Sequence, residues 1–339
     1  MRALAEFIHW FQWYPLRGIV TRLPRRRVVS TGFLMGDIHC LLHRRRRRIV
    51  RDELLKSLPD RDPREIDRLV RQTFRQAAAV FLETFCFPRL KPDTIEKWMR
   101  LHGQRHIHDA LQNDRGIMLI LVHFGANQMI MAALGHRGYP INQIGSRPDD
   151  WHRLSGTRPS RLDQRTFNLR LDLEKTLPAS FIYIDRSMRP VYDCLKRNEI
   201  MLLAADGRAG TRFLPAPMAG RIMNLSAGPF RIAHATGAPL IPVFPVRDAD
   251  GVHDLYIEPP ITPPIDPATG DTEQTPTRSD TPAGHAPGTS WPEQAAWMFG
   301  ERLSQWVQRF PDHYAMLMAE AAIRSRIDPV PLFEDMRHE

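Results

Sequence analysis

The chain has 339 residues, 42% of them hydrophobic, which is enough to bury a core in one large domain or two ordinary ones. Its net charge of +9 favours anionic partners such as nucleic acid, an anionic membrane surface or a phosphorylated substrate. No window approaches about 18 uninterrupted apolar residues, which argues against a transmembrane helix, and the scattered Cys40, Cys86 and Cys194 lack metal or CxxC spacing, so free thiols in a reducing compartment are expected.

The N-terminus lacks the shape of a signal peptide, because Glu6 and His9 interrupt its apolar stretch and no small-residue cleavage site follows. Leu4, Phe7, Ile8, Phe11 and Tyr14 recur at roughly helical spacing, with Trp10 and Trp13 beside them. Pro15 is expected to end or kink that helix. A second helix is predicted in "VVSTGFLMGDIHCLLH" and runs into "RRRRRIVRDELL". Amphipathic helices rich in Trp and Phe beside an arginine run suit a membrane interface. There Arg44 to Arg48 would each add about 1 kcal/mol of attraction to anionic headgroups. The plainer alternative packs the apolar face on the rest of the protein and leaves the arginines solvated. Nucleic acid is the competing partner, but no zinc-finger spacing or aromatic-rich RNA-binding motif supports it.

Residues 52–112 read as further helices. "DPREIDRLVRQTFRQAAAVFLETF" opens on an Asp-Pro N-cap signal and carries Ile66, Leu69, Val70, Phe74, Ala77 and Phe81 on one side. Pro88 marks its exit, and "DTIEKWMRL" and "QRHIHDALQ" read as shorter pieces. From Gly116 the texture changes. "GIMLILV", "FIYI", "IMLLAAD" and "PLIPVFPV" are buried-strand runs, and "VHDLYIEP" is more alternating. Helical segments, "NQMIMAALGHRG", "PVYDCLKRN" and "LSAGPFRIAHATG", lie between the first four. This alternation predicts an α/β fold, a mostly parallel mixed sheet covered by helices on both faces. Residues 262–292 are rich in Pro, Thr, Gly and Asp and read as a flexible surface loop. A closing helix, "EQAAWMFGERLSQWVQRF", and a weakly structured tail follow. No GxGxxG, P-loop or metal constellation is present, so no bound cofactor or metal is expected.

"LILVHFGANQM" carries the chemistry. A strand-like run ends in His123, with a loop and a helix to follow. A histidine so placed reaches the crevice at the strand ends and can act as a general base, a role usually supported by a carboxylate. The nearest polar groups downstream, Asn127 and Gln128, are amides. A satisfied histidine at a strand end is the plainer reading.

Taken in order, these pieces resemble the bacterial acyltransferases that put secondary acyl chains on lipid A and related lipids, within the glycerolipid and lysophospholipid acyltransferase superfamily. "LVHFGANQM" stands where that family has a strand followed by H-x-x-x-x-D/E. "FIYIDRSM", with Asp185-Arg186, resembles the superfamily's second block. "LLAADGRAGTRFLPAPMAGRIMNLSAGPFRIAHATGAPLIPVFPV" resembles the third and fourth, "RRRRIVRDELLKSLPD" the basic helical lead-in, and "ERLSQWVQRFPDHY" the C-terminal helix and proline. The sequence departs from the family pattern in three places. Gln128 occupies the acidic position, Gly207 follows Asp206 where relatives usually have Gln, and "AMLMAEAAIR" replaces a basic, Trp-rich ending.

The resemblance implies a helical membrane-associating region over residues 1–112, an α/β acyltransferase domain over 113–325 and a tail over 326–339. It implies an O-acyltransferase that moves an acyl chain from a thioester, on acyl carrier protein or coenzyme A, to a hydroxyl of a lipid A-like or lysophospholipid-like acceptor. The enzyme would work peripherally at the cytoplasmic face of the inner membrane. His123 would be the general base, with Gln128 in its partner position. An amide carbonyl can orient an imidazole but stabilises its cation less than a carboxylate does. Reduced activity, or a carboxylate supplied by Asp206 or Asp185, is therefore expected, and a homologue that binds lipid or acyl carrier without turnover is the alternative. Arg147, Arg186 and Arg208 suit an anionic headgroup or carrier phosphate, Gly125 a close backbone approach, and Asn127 the substrate side of the loop. Plainer readings exist for Asp206-Gly207 as a turn signal and for each arginine as a surface residue.

Overall fold

Helices dominate the first third of the chain. In the computed structural model, which describes residues 2–145, 160–183, 187–208, 210–263, 288–325 and 327–336, α1 spans Arg2–Phe11. A π-helical turn, Gln12–Leu16, takes up Pro15, and α2 (Arg17–Val20) continues the helical path. The proline lacks an N–H, and the wider π turn is a common way to accommodate such a break. Next come α3 (Arg25–Leu42), α4 (Arg44–Ser57) and α5 (Pro63–Thr84). The predicted Asp-Pro start of α5 is observed: the Asp62 carboxylate accepts from Arg64 N at 2.7 Å. Ile66, Leu69, Val70 and Phe74 are buried along the expected face.

α3 and α5 cross closely because Gly32 and Gly36 lie at the contact. A Cβ on Gly32 would stand 2.4 Å from Ala79 Cα, and one on Gly36 2.5 Å from Arg75 Cα. Asp37, one residue on, receives both Arg71 and Arg75 in bidentate pairs at 2.7 and 2.8 Å. The apolar side chains of the N-terminal helices divide. Trp13 and Val20 are buried, Trp13 edge-on to Phe81 and Phe85. Phe7, Ile8, Trp10, Phe11, Ile19, Leu34, Ile38, Leu41 and Leu42 are exposed. Among the described residues no helix is long and apolar enough to cross a membrane.

The main sheet has seven strands: β1 (Met99–His102), β2 (Ile117–Leu121), β3 (Ile141–Gly145), β4 (Ser180–Tyr183), β5 (Ile200–Ala204), β8 (Leu240–Arg247) and β9 (His253–Ile257). β6 (Phe213–Met218) and β7 (Arg221–Ser226) form a separate antiparallel hairpin. The main order is β1-β9-β8-β2-β5-β3-β4, parallel except for β8 against β9. Between the strands run α6 (Arg105–Leu111), α7 (Met129–Gly135), α8 (Arg161–Glu174), α9 (Arg189–Lys196) and α10 (Gly228–Thr236). α11 (Trp291–Arg309) and α12 (Ala315–Arg324) close the chain. The mostly parallel mixed sheet flanked by helices is as expected. β2 lies at its centre with all five residues buried, each large apolar side chain contributing about 1.5–3 kcal/mol.

The sequence reading differs from the structure in four places. β1 falls in the stretch read as helical: its four residues alternate buried and exposed at the sheet edge, too short to display a period. β3 carries Asn142 and Gln143, which hid it among polar residues. The Pro- and Gly-bearing stretch "RFLPAPMAGRIMNLS", given no strand in the sequence reading, is the β6–β7 hairpin. Its prolines are tolerated because β6 pairs on one side alone, and Ala219 and Gly220, at φ 47° and 76°, make the tight turn. The stretch after the closing helix, expected to be weakly structured, holds helix α12, and within the 326–339 tail Leu332, Phe333 and Met336 are buried. The flexible loop expected at 262–292 falls largely outside the described residues.

Candidate functional site

The register of the two central strands builds the site. β2 and β5 run parallel with Ile117 beside Ile200 and Leu121 beside Ala204. Ala205 N still donates to Leu121 O at 2.8 Å as both chains leave the sheet. Two residues beyond each strand, that pairing places His123 beside Asp206, at the carboxyl ends where parallel sheets open their crevices. The His123 ring accordingly meets the carboxylate: Nδ1 lies 2.7 Å from Asp206 Oδ1, and His123 N donates to Oδ2 at 2.7 Å.

Burial is asymmetric across the pair. The Asp206 side chain is fully buried, whereas the His123 side chain is 50% exposed. With Nδ1 engaged by Asp206, Nε2 has no hydrogen-bond partner among the described residues. The negative charge of Asp206 raises the imidazole pKa, against the opposing effect of burial and with help from the hydrogen bond. Burial alone would raise the Asp206 pKa, but the His123 charge and hydrogen bonds, including the His123 backbone N–H, hold it below the ordinary carboxylate value. The Tyr314 hydroxyl donates to Asp206 Oδ2 at 3.3 Å. Burial first, then the neighbouring Asp206 charge, raises the phenol pKa well above its usual value.

Phe124 anchors the loop beneath. It is fully buried, stacked near the His313 and Tyr314 rings, and edge-on to Phe244. Gly125 then turns at φ 53°, and its N–H donates to His313 O at 2.9 Å. A Cβ there would lie 2.3 Å from Pro245 O, so the close backbone approach expected of this glycine is present, made to the protein's own chain. His313 receives Arg247 N on Nε2 at 3.0 Å and donates from Nδ1 to Asp312 at 3.1 Å, which fixes it as a structural histidine.

The other predicted residues are distributed as follows. Gln128 is directed to Arg170 of α8: its side-chain carbonyl accepts from that guanidinium, which also pairs with Glu174 at 2.7 Å. Asn127 is half-buried on the same loop, and its amide makes no hydrogen bond among the described residues. Arg208 donates to main-chain carbonyls of Asp206, Asn224, Val330 and Pro331, and sits 4.4 Å over the Phe213 ring. It ties the end of the chain to the turn that carries Asp206. Arg147, Asp185 and Arg186 lie outside the described residues. Sequence reasoning did not single out Tyr314 or Arg170. Tyr314 stood in the quoted "FPDHY" block without an assigned role, and no local signal marks Arg170 on its helix. No cluster of three or more potential metal ligands occurs among the described residues.

This arrangement is a buried carboxylate, an imidazole oriented by it, and an outward ring nitrogen. It can accept a proton from a hydroxyl brought to the strand ends and hold the resulting cation. Comparison with known proteins gives a consistent result. The chain is 26% identical over 285 residues to a lipid A biosynthesis lauroyltransferase of Escherichia coli (strain K12), covering 78% of this chain and 84% of that protein. It is 24% identical over 269 residues to a lipid A biosynthesis palmitoleoyltransferase of the same strain, covering 75% and 81%. The same identity and coverage relate it to a lipid A biosynthesis acyltransferase of Shigella flexneri. The sequence profile of the bacterial lipid A biosynthesis acyltransferases matches residues 1–319, and the chain belongs to that family.

Proposed function

We propose that this acyltransferase moves an acyl chain from a thioester, carried on acyl carrier protein or coenzyme A, to a hydroxyl of a lipid A-type acceptor. His123 is the general base. Its Nε2 takes the hydroxyl proton as the oxygen attacks the thioester carbonyl. The imidazolium so formed returns the proton to the departing thiolate when the tetrahedral intermediate collapses. Asp206 fixes the Nδ1–H tautomer and stabilises the cation. Tyr314 in turn holds Asp206. Asn127 has an amide free to meet substrate on the same loop. Gln128 shapes the loop through Arg170.

The observation that carries this reading is the 2.7 Å contact between His123 Nδ1 and Asp206 Oδ1 at the ends of two adjacent parallel strands. It supplies the carboxylate that position 128 lacks. The enzyme is proposed to sit peripherally on the inner membrane at its cytoplasmic face, through the exposed Phe7, Trp10, Leu34, Leu41 and Leu42. A radiolabelled acyl-transfer assay on membranes tests the chemistry. His123→Ala should reduce transfer to background. A purified variant that keeps most of the wild-type rate removes His123 from the mechanism.

A further inference from the structure

The helical region contains a groove of about 870 Å3 between α3, α4 and α5, and it shares no residue with the His123 site. Five of its lining residues are arginines. Arg51 is paired with Asp67 at 3.0 Å and Arg71 with Asp37 at 2.7 Å. Arg44, Arg47 and Arg48 line the same groove, are exposed, and have no ion pair or hydrogen bond from their side chains among the described residues. Three like charges at i, i+3 and i+4 repel one another. They also stand at the start of α4, which has no acidic residue in its first turn, so the helix dipole opposes them as well. A bound anion relieves both effects.

The apolar surroundings indicate which anion. Leu41 lines the groove. With Leu34, Ile38 and Leu42 it forms an exposed ridge on one face of α3, the residues Leu41, Leu34, Ile38 and Leu42 being 69, 62, 48 and 68% exposed. A ligand with a phosphate head and an apolar body satisfies both surfaces at once. A free anion leaves the ridge in water, and an acidic protein surface brings few apolar groups to cover it. We propose that the groove is a discrete binding site for the phosphate headgroup of an anionic membrane lipid, with the lipid chains lying beside the Leu34–Leu42 ridge. The proposal rests on the membrane association argued above and adds a specific site to it.

The test is co-sedimentation of the full chain with phosphatidylcholine vesicles, with and without phosphatidylglycerol. It compares the wild type, R44Q/R47Q/R48Q, and a charge-matched control at exposed arginines elsewhere, R115Q/R165Q/R189Q. At about fivefold per arginine, the groove variant should lose on the order of 100-fold in affinity for the anionic vesicles, and the control far less. R44K/R47K/R48K, which keeps the charge but not the planar fork of donors, should recover only part of the loss. Circular dichroism of each variant should match the wild type. Equal losses in the groove and control variants, or full recovery with lysine, would show diffuse charge and overturn the site while leaving membrane association standing. Release by inorganic phosphate at constant ionic strength, as complete as the groove variant's loss, would assign the groove to a free anion. Unchanged vesicle binding in the groove variant, with lost affinity for an acidic carrier protein, would assign it to that protein. A wild type that binds neither vesicle overturns both readings.

Discussion

Asp206→Asn is the substitution on which the proposed chemistry depends most directly. The carboxylate receives three donors: His123 N on Oδ2 at 2.7 Å, His123 Nδ1 on Oδ1 at 2.7 Å and the Tyr314 hydroxyl on Oδ2 at 3.3 Å. Asparagine offers one acceptor oxygen. If that oxygen keeps the Oδ2 side, its amide NH2 faces Nδ1, which must then accept, and the ring proton moves to Nε2. The outward nitrogen can no longer take a proton from the acceptor hydroxyl, and the cation has lost its counter-charge. A carboxylate-to-amide change with the same tautomeric consequence in a serine protease triad costs about 10⁴ in kcat. A loss of roughly 10³–10⁴-fold, about 4–5.5 kcal/mol of barrier, is therefore expected here. The pH profile moves too. In the wild type Asp206 raises the His123 pKa, so the rate rises with pH through a value above the ordinary imidazole one. In the variant that limb shifts to lower pH. The stability linkage has a definite sign. The His123 contribution is full below the ordinary imidazole pKa and lost as pH rises through the folded value. The Asp206 contribution is present above the ordinary carboxylate value and lost as pH falls through its depressed one. Chemical denaturation at mildly acidic pH should thus show the largest difference between the two proteins. Steady-state transfer against pH measures the rest. A kcat within tenfold of wild type, with the limb unmoved, would refute Asp206 as the partner.

Gln128→Glu should leave the rate within about threefold of wild type, since a carboxylate at 128 pairs with Arg170, and the double variant with Asp206→Asn should stay as slow as Asp206→Asn alone. Arg208→Met removes the donor to four main-chain carbonyls and should cost about 1–3 kcal/mol in urea unfolding with KM for the acceptor unchanged; a raised KM with intact stability would return Arg208 to the substrate site. Glu83→Gln strips the charge from between Arg247, paired at 2.7 Å, and His253, at 3.0 Å, all fully buried, and should cost about 3–5 kcal/mol by the same measurement.

The central strands were legible because their signal is strong. Each is an unbroken apolar run bounded by Gly, Pro or a charged residue, and burial on both faces leaves no other use for it. β1 and β3 escaped because an edge or near-edge strand need bury only half its side chains, and four or five residues cannot show that alternation. The β6–β7 hairpin escaped for the opposite reason: Pro215 and Pro217 argue against a strand unless one edge is known to be free. His123 could be singled out from its place at a strand end, and Asp206 could be named as a candidate. Their contact could not be derived, because it depends on which strands are neighbours and in what register. Nothing local announces that residues 83 apart in sequence will lie side by side.

In the proposed mechanism, that register lets the site do without an acid at position 128. A partner five residues from the histidine sits on the same loop, and its distance from the ring varies with every change in that loop. Asp206 approaches from the adjacent strand. Its position is set by the β2–β5 hydrogen bonds, by His123 N, and by Tyr314 and Arg208, which connect it to the end of the chain. A carboxylate fixed in this way reaches the imidazole without drawing on the loop's conformation. The loop position is then free to serve another contact, and here it holds Arg170 of α8. Buried and turned to the ring, Asp206 is held below the ordinary carboxylate value by the charge and hydrogen bonds of His123, its backbone N–H among them, and by the nearby Arg208. In the proposed mechanism the two residues act as one titrating unit, and its working form is a neutral imidazole hydrogen-bonded to an ionised acid.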